Sequence, residues 1–143
     1  MYVVLDTCVL LRALGDAGIY RKVREHILEV CDVIASSKEI LKECRAKAST
    51  QGMPPTILEI RLQEIKDCTK LKVIPKSKLQ LQRIRKKPGD SYDEKFLVAA
   101  VAVRAGCIIT TDHGLLKLDP YGLDRTSIRV LRPEDYPCQY DRA

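Results

Sequence analysis

The chain has no apolar run approaching the roughly 18–20 residues of a membrane-spanning helix, which removes a membrane from its expected partners. Its six cysteines, at positions 8, 31, 44, 68, 107 and 138, include no C-x-x-C pair, and only two histidines are there to supplement them, so a structural zinc site is excluded. There is no G-x-x-x-x-G-K-S/T and no G-x-G-x-x-G, the spacings that cradle nucleotide phosphates on glycine backbone. Nor is there an internal repeat, a low-complexity tract or a linker, and residues 1–143 read as one domain. The opening Met1-Tyr2-Val3-Val4-Leu5-Asp6 lacks the basic stretch of a signal peptide and meets an acid at once; it reads as the first strand of a cytoplasmic protein. There, disulfides are expected mainly of a hyperthermophile, and Cys31 and Cys107, in apolar surroundings, are expected to be small core side chains.

What is present is 45% hydrophobic and 31% charged residues, compatible with a real core beneath a soluble surface. Four short apolar runs, Tyr2–Leu5, Val33–Ala35, Leu71–Ile74 and Cys107–Thr110, read as buried strands, and Ile128–Leu131 as a fifth. Between them the apolar period becomes helical. Val23, Ile27, Leu28 and Cys31 mark one face, and Ile40, Leu41 and Cys44 another. Leu58, Leu62, Ile65 and Cys68 mark a third, and Phe96, Leu97, Ala100 and Val101 a fourth. Pro54-Pro55 marks a helix start. The alternation implies an α/β/α sandwich around a mostly parallel, five-stranded sheet. Ligands of such sheets gather outside the carboxyl ends of the strands.

Several acids fall there. Asp6 directly follows the first strand, and Asp112 follows Cys107–Thr110 one residue further out; each alone suits an Asx-turn or a helix cap. Asp90 and Asp93 stand three apart before an alanine-rich helix, as an N-cap and a first-turn acid would. Ser36 and Glu39 have capping-box spacing. Glu43 lies one turn further on the same face, where no cap explains it; its structural alternative is a solvated side chain paired with Lys47. If Asp6, Glu43, Asp93 and Asp112 converge, their repulsion requires a balancing cation. Oxygen donors without His or Cys select Mg²⁺ or Mn²⁺ over zinc. Such an ion activates water and offsets charge on a phosphodiester during in-line displacement.

The formal charge of +6 suits a polyanion such as nucleic acid, bound in a salt-sensitive way. Arg83, Arg85, Lys86 and Lys87 form a basic run that reads either as a phosphate-binding patch or as the solvated end of a helix.

"VVLDTCVLLRAL" (3–14), "SSKEILKEC" (36–44), "DSYDEKFLVAAVAVRAGCIITTDHGLL" (90–116) and "IRVLRPEDY" (128–136) together resemble the PIN-domain nucleases over nearly the whole chain. In that family a strand-end Asp within D-T-N opens the site, which matches Asp6. A Glu six residues after a Ser matches Ser37 and Glu43, an Asp opening an alanine-rich helix matches Asp93, and the Asp of a T-T-D strand end matches Asp112. The resemblance implies Mg²⁺- or Mn²⁺-dependent endoribonuclease chemistry, often in a dimer. Small members are commonly toxins of toxin–antitoxin pairs, VapC-type, held inactive by an antitoxin; others process ribosomal or other RNA. By the same resemblance Asp90 is an auxiliary acid near the metal, and Thr7 and Thr111 supply hydroxyls behind the carboxylates. This chain departs from the pattern at Cys8, where the family has Asn and an amide able to hydrogen-bond beside the first carboxylate.

The remaining candidates have plainer readings. His113 reads as an exposed loop residue, His26 as a helix-surface residue, and Tyr92 as packing at a helix start more than as a stacking platform for a base. A haloacid-dehalogenase-like phosphatase also begins with a strand and "LDT" but needs a second Asp where Cys8 stands. A catalytically silent module that binds RNA or protein is the other alternative; against it, all four acids are kept.

Overall fold

A strand made wholly of apolar residues needs cover on both faces of its sheet. The computed structural model, which describes residues 1–15, 18–123 and 125–136, meets that condition. β1 (Tyr2–Leu5) and β4 (Cys107–Ile109) lie side by side in mid-sheet, Val3 paired with Cys107 and Leu5 with Ile109, all of them buried. β2 (Val33–Ser36), β3 (Leu71–Val73) and β6 (Thr126–Leu131) run parallel to them, the five parallel strands expected. A sixth, β5 (Tyr121–Leu123), pairs antiparallel with β6, and the order is β3-β2-β1-β4-β6-β5. Its Tyr-Gly-Leu carries no apolar run, so nothing in the sequence marks it as a strand.

The chain moves outward from β1 through β2 to β3, then crosses back to β4 on the far side of β1. Right-handed crossovers put the helices of these two journeys on opposite faces. α1 (Thr7–Ala13), α2 (Gly18–Glu29), α3 (Lys38–Thr50) and α4 (Pro55–Asp67) form one layer, α1 against α2 and α3, and α3 against α4. α6 (Glu94–Val103), with the short α5 (Lys76–Gln80) beside it, covers β1, β2 and β4 from the other side. α7 (His113–Leu116) rests on β6. The reversal of direction between β1 and β4 leaves a crevice at their carboxyl ends. Among the described residues no helix is long and apolar enough to cross a membrane.

Some local expectations shift. α1 has no sequence-visible period because Thr7, Val9, Leu10, Leu11 and Ala13 are all buried, leaving almost no polar face. α3 is capped by Ser37, whose Oγ accepts the Ile40 N–H at 3.1 Å, and not by Ser36, which ends β2 with its carbonyl bonded to the Ile74 N–H. Leu28, Cys31 and Cys68 are exposed at helix ends, where the apolar period outruns the last covered turn; Cys107 is a core residue as expected and Cys31 is not. His26 is buried, its ring meeting Tyr136 edge-on with centroids 5.0 Å apart, a contact between distant segments that the period of α2 cannot show. Cys8, Cys31, Cys44, Cys68 and Cys107 are free thiols, and Cys138 lies outside the described residues.

Tyr136 is fully buried and its hydroxyl donates to Asp32 Oδ2 at 2.6 Å. Removing one partner of a buried, charge-assisted hydrogen bond costs about 1–3 kcal/mol. Tyr136→Phe is therefore expected to lower the unfolding free energy by about that amount in urea titration, with the slope of the transition unchanged.

Candidate active site

Helices that begin at the carboxyl edge of the sheet expose N–H groups with no intrahelical partner, and acids answer three of them. Asp6 N-caps α1, its Oδ1 accepting the Val9 N–H at 2.8 Å. Asp93 N-caps α6 through the Lys95 N–H at 3.2 Å, and Asp112 N-caps α7 through the Gly114 N–H at 3.2 Å. Asp90 is not the cap that its spacing suggests. Asp93 takes that place in extended conformation, and Asp90 Oδ2 instead accepts the Lys87 N–H at 2.7 Å in the preceding turn.

Asp6, Glu43, Asp93 and Asp112 line one open pocket, together with Thr7, Cys8, Lys47 and Phe96. Asp90 faces a neighbouring concavity with Arg85, Lys87 and Lys117. Asp6 is only 6% exposed, and its Oδ2 accepts a hydrogen bond from the Thr110 hydroxyl. The same Thr110 Oγ1 accepts the Asp112 N–H at 2.9 Å, so one buried hydroxyl ties the ends of β1 and β4 together. The expectation had fallen on Thr111, which is exposed; the alternation of side chains along an extended chain turns Thr110 inward in its place. Thr7 is buried, with its hydroxyl beside the Glu43 carboxylate.

Glu43 is held between two lysines. Its Oε1 is 3.2 Å from Lys47 Nζ, the pairing its structural alternative proposed, and its Oε2 accepts from Lys95 Nζ, which also reaches Asp93 Oδ2 at 2.8 Å. Burial pushes the Glu43 carboxyl up, but hydrogen bonds from Lys95, Thr7 and Lys47 outweigh it and hold the group below its ordinary value of 4.5. Burial pushes the Lys95 ammonium down, and hydrogen bonds to Asp93 and Glu43 raise it overall. Lys95 is the residue that sequence reasoning missed. Two positions past the cap of an amphipathic helix it reads as a surface lysine, yet its side chain is only 12% exposed.

Two further features shape the crevice. An ideal Cβ on Gly114 would lie 1.7 Å from the Ser91 carbonyl oxygen, so only glycine lets the start of α7 press against the segment that leads into Asp93. Arg83, Arg85, Lys86 and Lys87 are exposed and lie beyond the end of α5 at Gln80, outside any helix, so the helix-end reading falls away. The Arg85 N–H donates to the Tyr121 hydroxyl at 2.8 Å, while Lys86 pairs with Glu94 at 3.3 Å and lies over the Tyr92 ring. Tyr92 is half-buried with its hydroxyl enclosed, in keeping with packing. His113 is exposed, though it opens α7 and is not in a loop.

Carboxylate oxygens are the donor type that a hard divalent ion takes. Among the described residues no three His, Cys, Asp or Glu side chains stand close enough together to grip one. The cations at the carboxylates are Lys47 and Lys95.

The family model of the PIN domain matches residues 2–114, from the start of β1 past all four acids. The chain belongs to the PIN-domain family. Among solved structures, a chain of VapBC2 from Rickettsia felis, bound to a DNA fragment from the promoter of its genes, is similar to this PIN domain with a TM-score of 0.53. The likeness covers 92% of this chain and 98% of that one at 14% identity, and is a likeness of fold. A search of curated proteins finds no match.

Thr110→Val is expected to destabilise the PIN domain by about 1–3 kcal/mol, because it strips a donor from a buried carboxylate, whereas Thr111→Val stays within about 0.5 kcal/mol of the parent. Equal effects on the two melting curves would contradict the assignment. In an NMR titration Glu43 is expected to show a midpoint below 4.5. Its folded-state value is depressed, so the stability it lends is present above pH 4.5 and is lost as pH falls through the folded-state value.

Proposed function

We propose that this PIN domain is an endoribonuclease that hydrolyses RNA phosphodiester bonds with the help of Mg²⁺ or Mn²⁺. The observation that carries the reading is the meeting of Asp6, Glu43, Asp93 and Asp112 in one pocket at the carboxyl ends of β1 and β4. When bound, the ion supplies a Lewis acid that generates hydroxide from water and offsets phosphodiester charge. Asp6 and Asp112 would hold it from the two strand ends, with Glu43 and Asp93 from the helical side. Asp90, engaged with Lys87, stands outside that set. The backbone N–H bonds at Asp6, Asp93 and Asp112 keep three of the carboxylates aimed before any ligand arrives, which is the preorganisation electrostatic catalysis relies on.

Arg85, Lys87 and Lys117 line the concavity next to the acids and supply cations for flanking phosphates, with Arg83 nearby in sequence. On this reading the scissile bond lies at the carboxylates and its neighbouring phosphates on the cations. As biological role we propose the toxin of a toxin–antitoxin pair, silenced by a protein antitoxin; the fold likeness to a chain of VapBC2 supports it. A second reading, a catalytically silent module that binds RNA or protein, draws support from Lys95, which bridges two of the acids.

Incubation with labelled single-stranded RNA separates the two readings. Cleavage is expected in Mn²⁺, abolished by EDTA and reduced at least about 100-fold by Asp6→Asn, since the ion is asked to supply several kcal/mol of transition-state stabilisation. Cleavage surviving in EDTA or in the variant would sink the metal–carboxylate mechanism, and absence of divalent-ion binding would favour the silent module. Arg85→Glu combined with Lys87→Glu is expected to weaken RNA binding and flatten its salt dependence, by roughly one unit of log–log slope per lost phosphate contact, while leaving Mn²⁺ affinity intact.

A further inference from the structure

Two of the four acids are already occupied by one side chain. Lys95 Nζ donates to Glu43 Oε2 and, at 2.8 Å, to Asp93 Oδ2, and it lies over the Phe96 ring, 5.2 Å from the centroid. The lysine side chain is 12% exposed, and its bond to Glu43 is part-buried while its bond to Asp93 lies at the surface. Lys47 differs. Among the described residues its ion pair is with Glu43, through the other oxygen, at 3.2 Å and with 42% of its side chain exposed.

Charge makes the arrangement informative. Asp6, Glu43, Asp93 and Asp112 bring four negative charges to one pocket, and Lys47 and Lys95 return two. Lys47 and Lys95 therefore offset part of the acids' mutual repulsion from within the chain. A divalent cation sharing Glu43 or Asp93 with that ammonium meets both the loss of two charge-assisted bonds and direct repulsion. We infer that Lys95 is the site's resident counter-cation: it holds Glu43 and Asp93 together in the metal-free protein and must swing off at least one of them for a divalent ion to bind. The inference rests on the metal-dependent reading above and specifies the occupant the ion displaces.

The test is calorimetric titration of Mn²⁺ into the full chain and into Lys95→Met, Lys95→Arg and Lys47→Met. Methionine keeps an unbranched apolar stem of similar length and removes the ammonium. Lys47→Met removes the same charge from the other side of Glu43 and so measures the general electrostatic gain without the clamp. Lys95→Met is expected to bind Mn²⁺ about tenfold more tightly than the parent and clearly more tightly than Lys47→Met, with Lys95→Arg close to the parent. In EDTA its melting temperature is expected to fall by about 2–4 °C, with recovery in Lys95→Arg. Should Lys95→Gln be needed because the methionine chain misfolds, the same order of affinities applies. Binding by the parent with no greater tightening in Lys95→Met than in Lys47→Met overturns this inference alone. No Mn²⁺ binding by any of the chains overturns it together with the reading beneath it.

Discussion

Unsatisfied N–H groups at helix starts are the constraint on which the candidate site depends. A sheet that delivers strands and starts helices along the same edge can satisfy those N–H groups with short side chains that accept hydrogen bonds. Asp6, Ser37, Asp93 and Asp112 are those side chains. An aspartate cap commits one carboxylate oxygen to the backbone and fixes the rotamer, leaving the second oxygen directed away from the helix. Three such caps around the switch point between β1 and β4 thus create an acidic crevice as a by-product of ending strands and starting helices. Structure and chemistry ask for the same residue at the same place, so the capping reading of each acid and its functional reading do not compete.

The electrostatic consequences are local and opposite in sign to those of the whole chain. The formal charge is +6, yet acids are concentrated where the backbone can hold them, and the cations Arg85, Lys87 and Lys117 line a separate concavity. Within the crevice repulsion is relieved by position as well as by lysine. Asp6, the most deeply placed, is bonded on both oxygens, to the Val9 N–H and to the Thr110 hydroxyl, whereas the more exposed Asp93 and Glu43 rely on Lys95 and Lys47. Buried charge is thus met by fixed neutral donors and half-exposed charge by lysine ammoniums, the order expected if rigid dipoles are needed most where water is least available.

Much of this was legible in the sequence, and the boundary of legibility is physical. Strands buried on both faces announce themselves as short apolar runs, so all five parallel strands were readable; β5 was not, because an edge strand of Tyr-Gly-Leu has no such run. The four pocket acids were readable because each sits where a strand ends or a helix starts, and because the ordered set resembles a family. What escaped was side-chain direction. Thr110 and Thr111 are identical in composition and differ only in which way the extended chain turns them, and Ser36 and Ser37 differ only in which belongs to the strand's ladder. Lys95 and His26 escaped for a related reason: a lysine in a first helical turn and a histidine on an amphipathic helix are commonplace locally, and their partners lie 52 and 110 residues away in the chain.

Gly114 shows how narrowly the crevice is assembled. Asp93 and Asp112 each belong to a helix start, and those two starts can approach only if one backbone offers no side chain at the point of contact. The ideal Cβ at that point would fall 1.7 Å from a carbonyl oxygen, a backbone atom with no rotamer by which to escape. Any side chain there would push α7 from the 91–92 segment and carry Asp112 with it, since Asp112 is tied to α7 by its cap. The spacing of the carboxylates is therefore set by backbone contact, and the acids themselves supply charge to a geometry that a glycine decides.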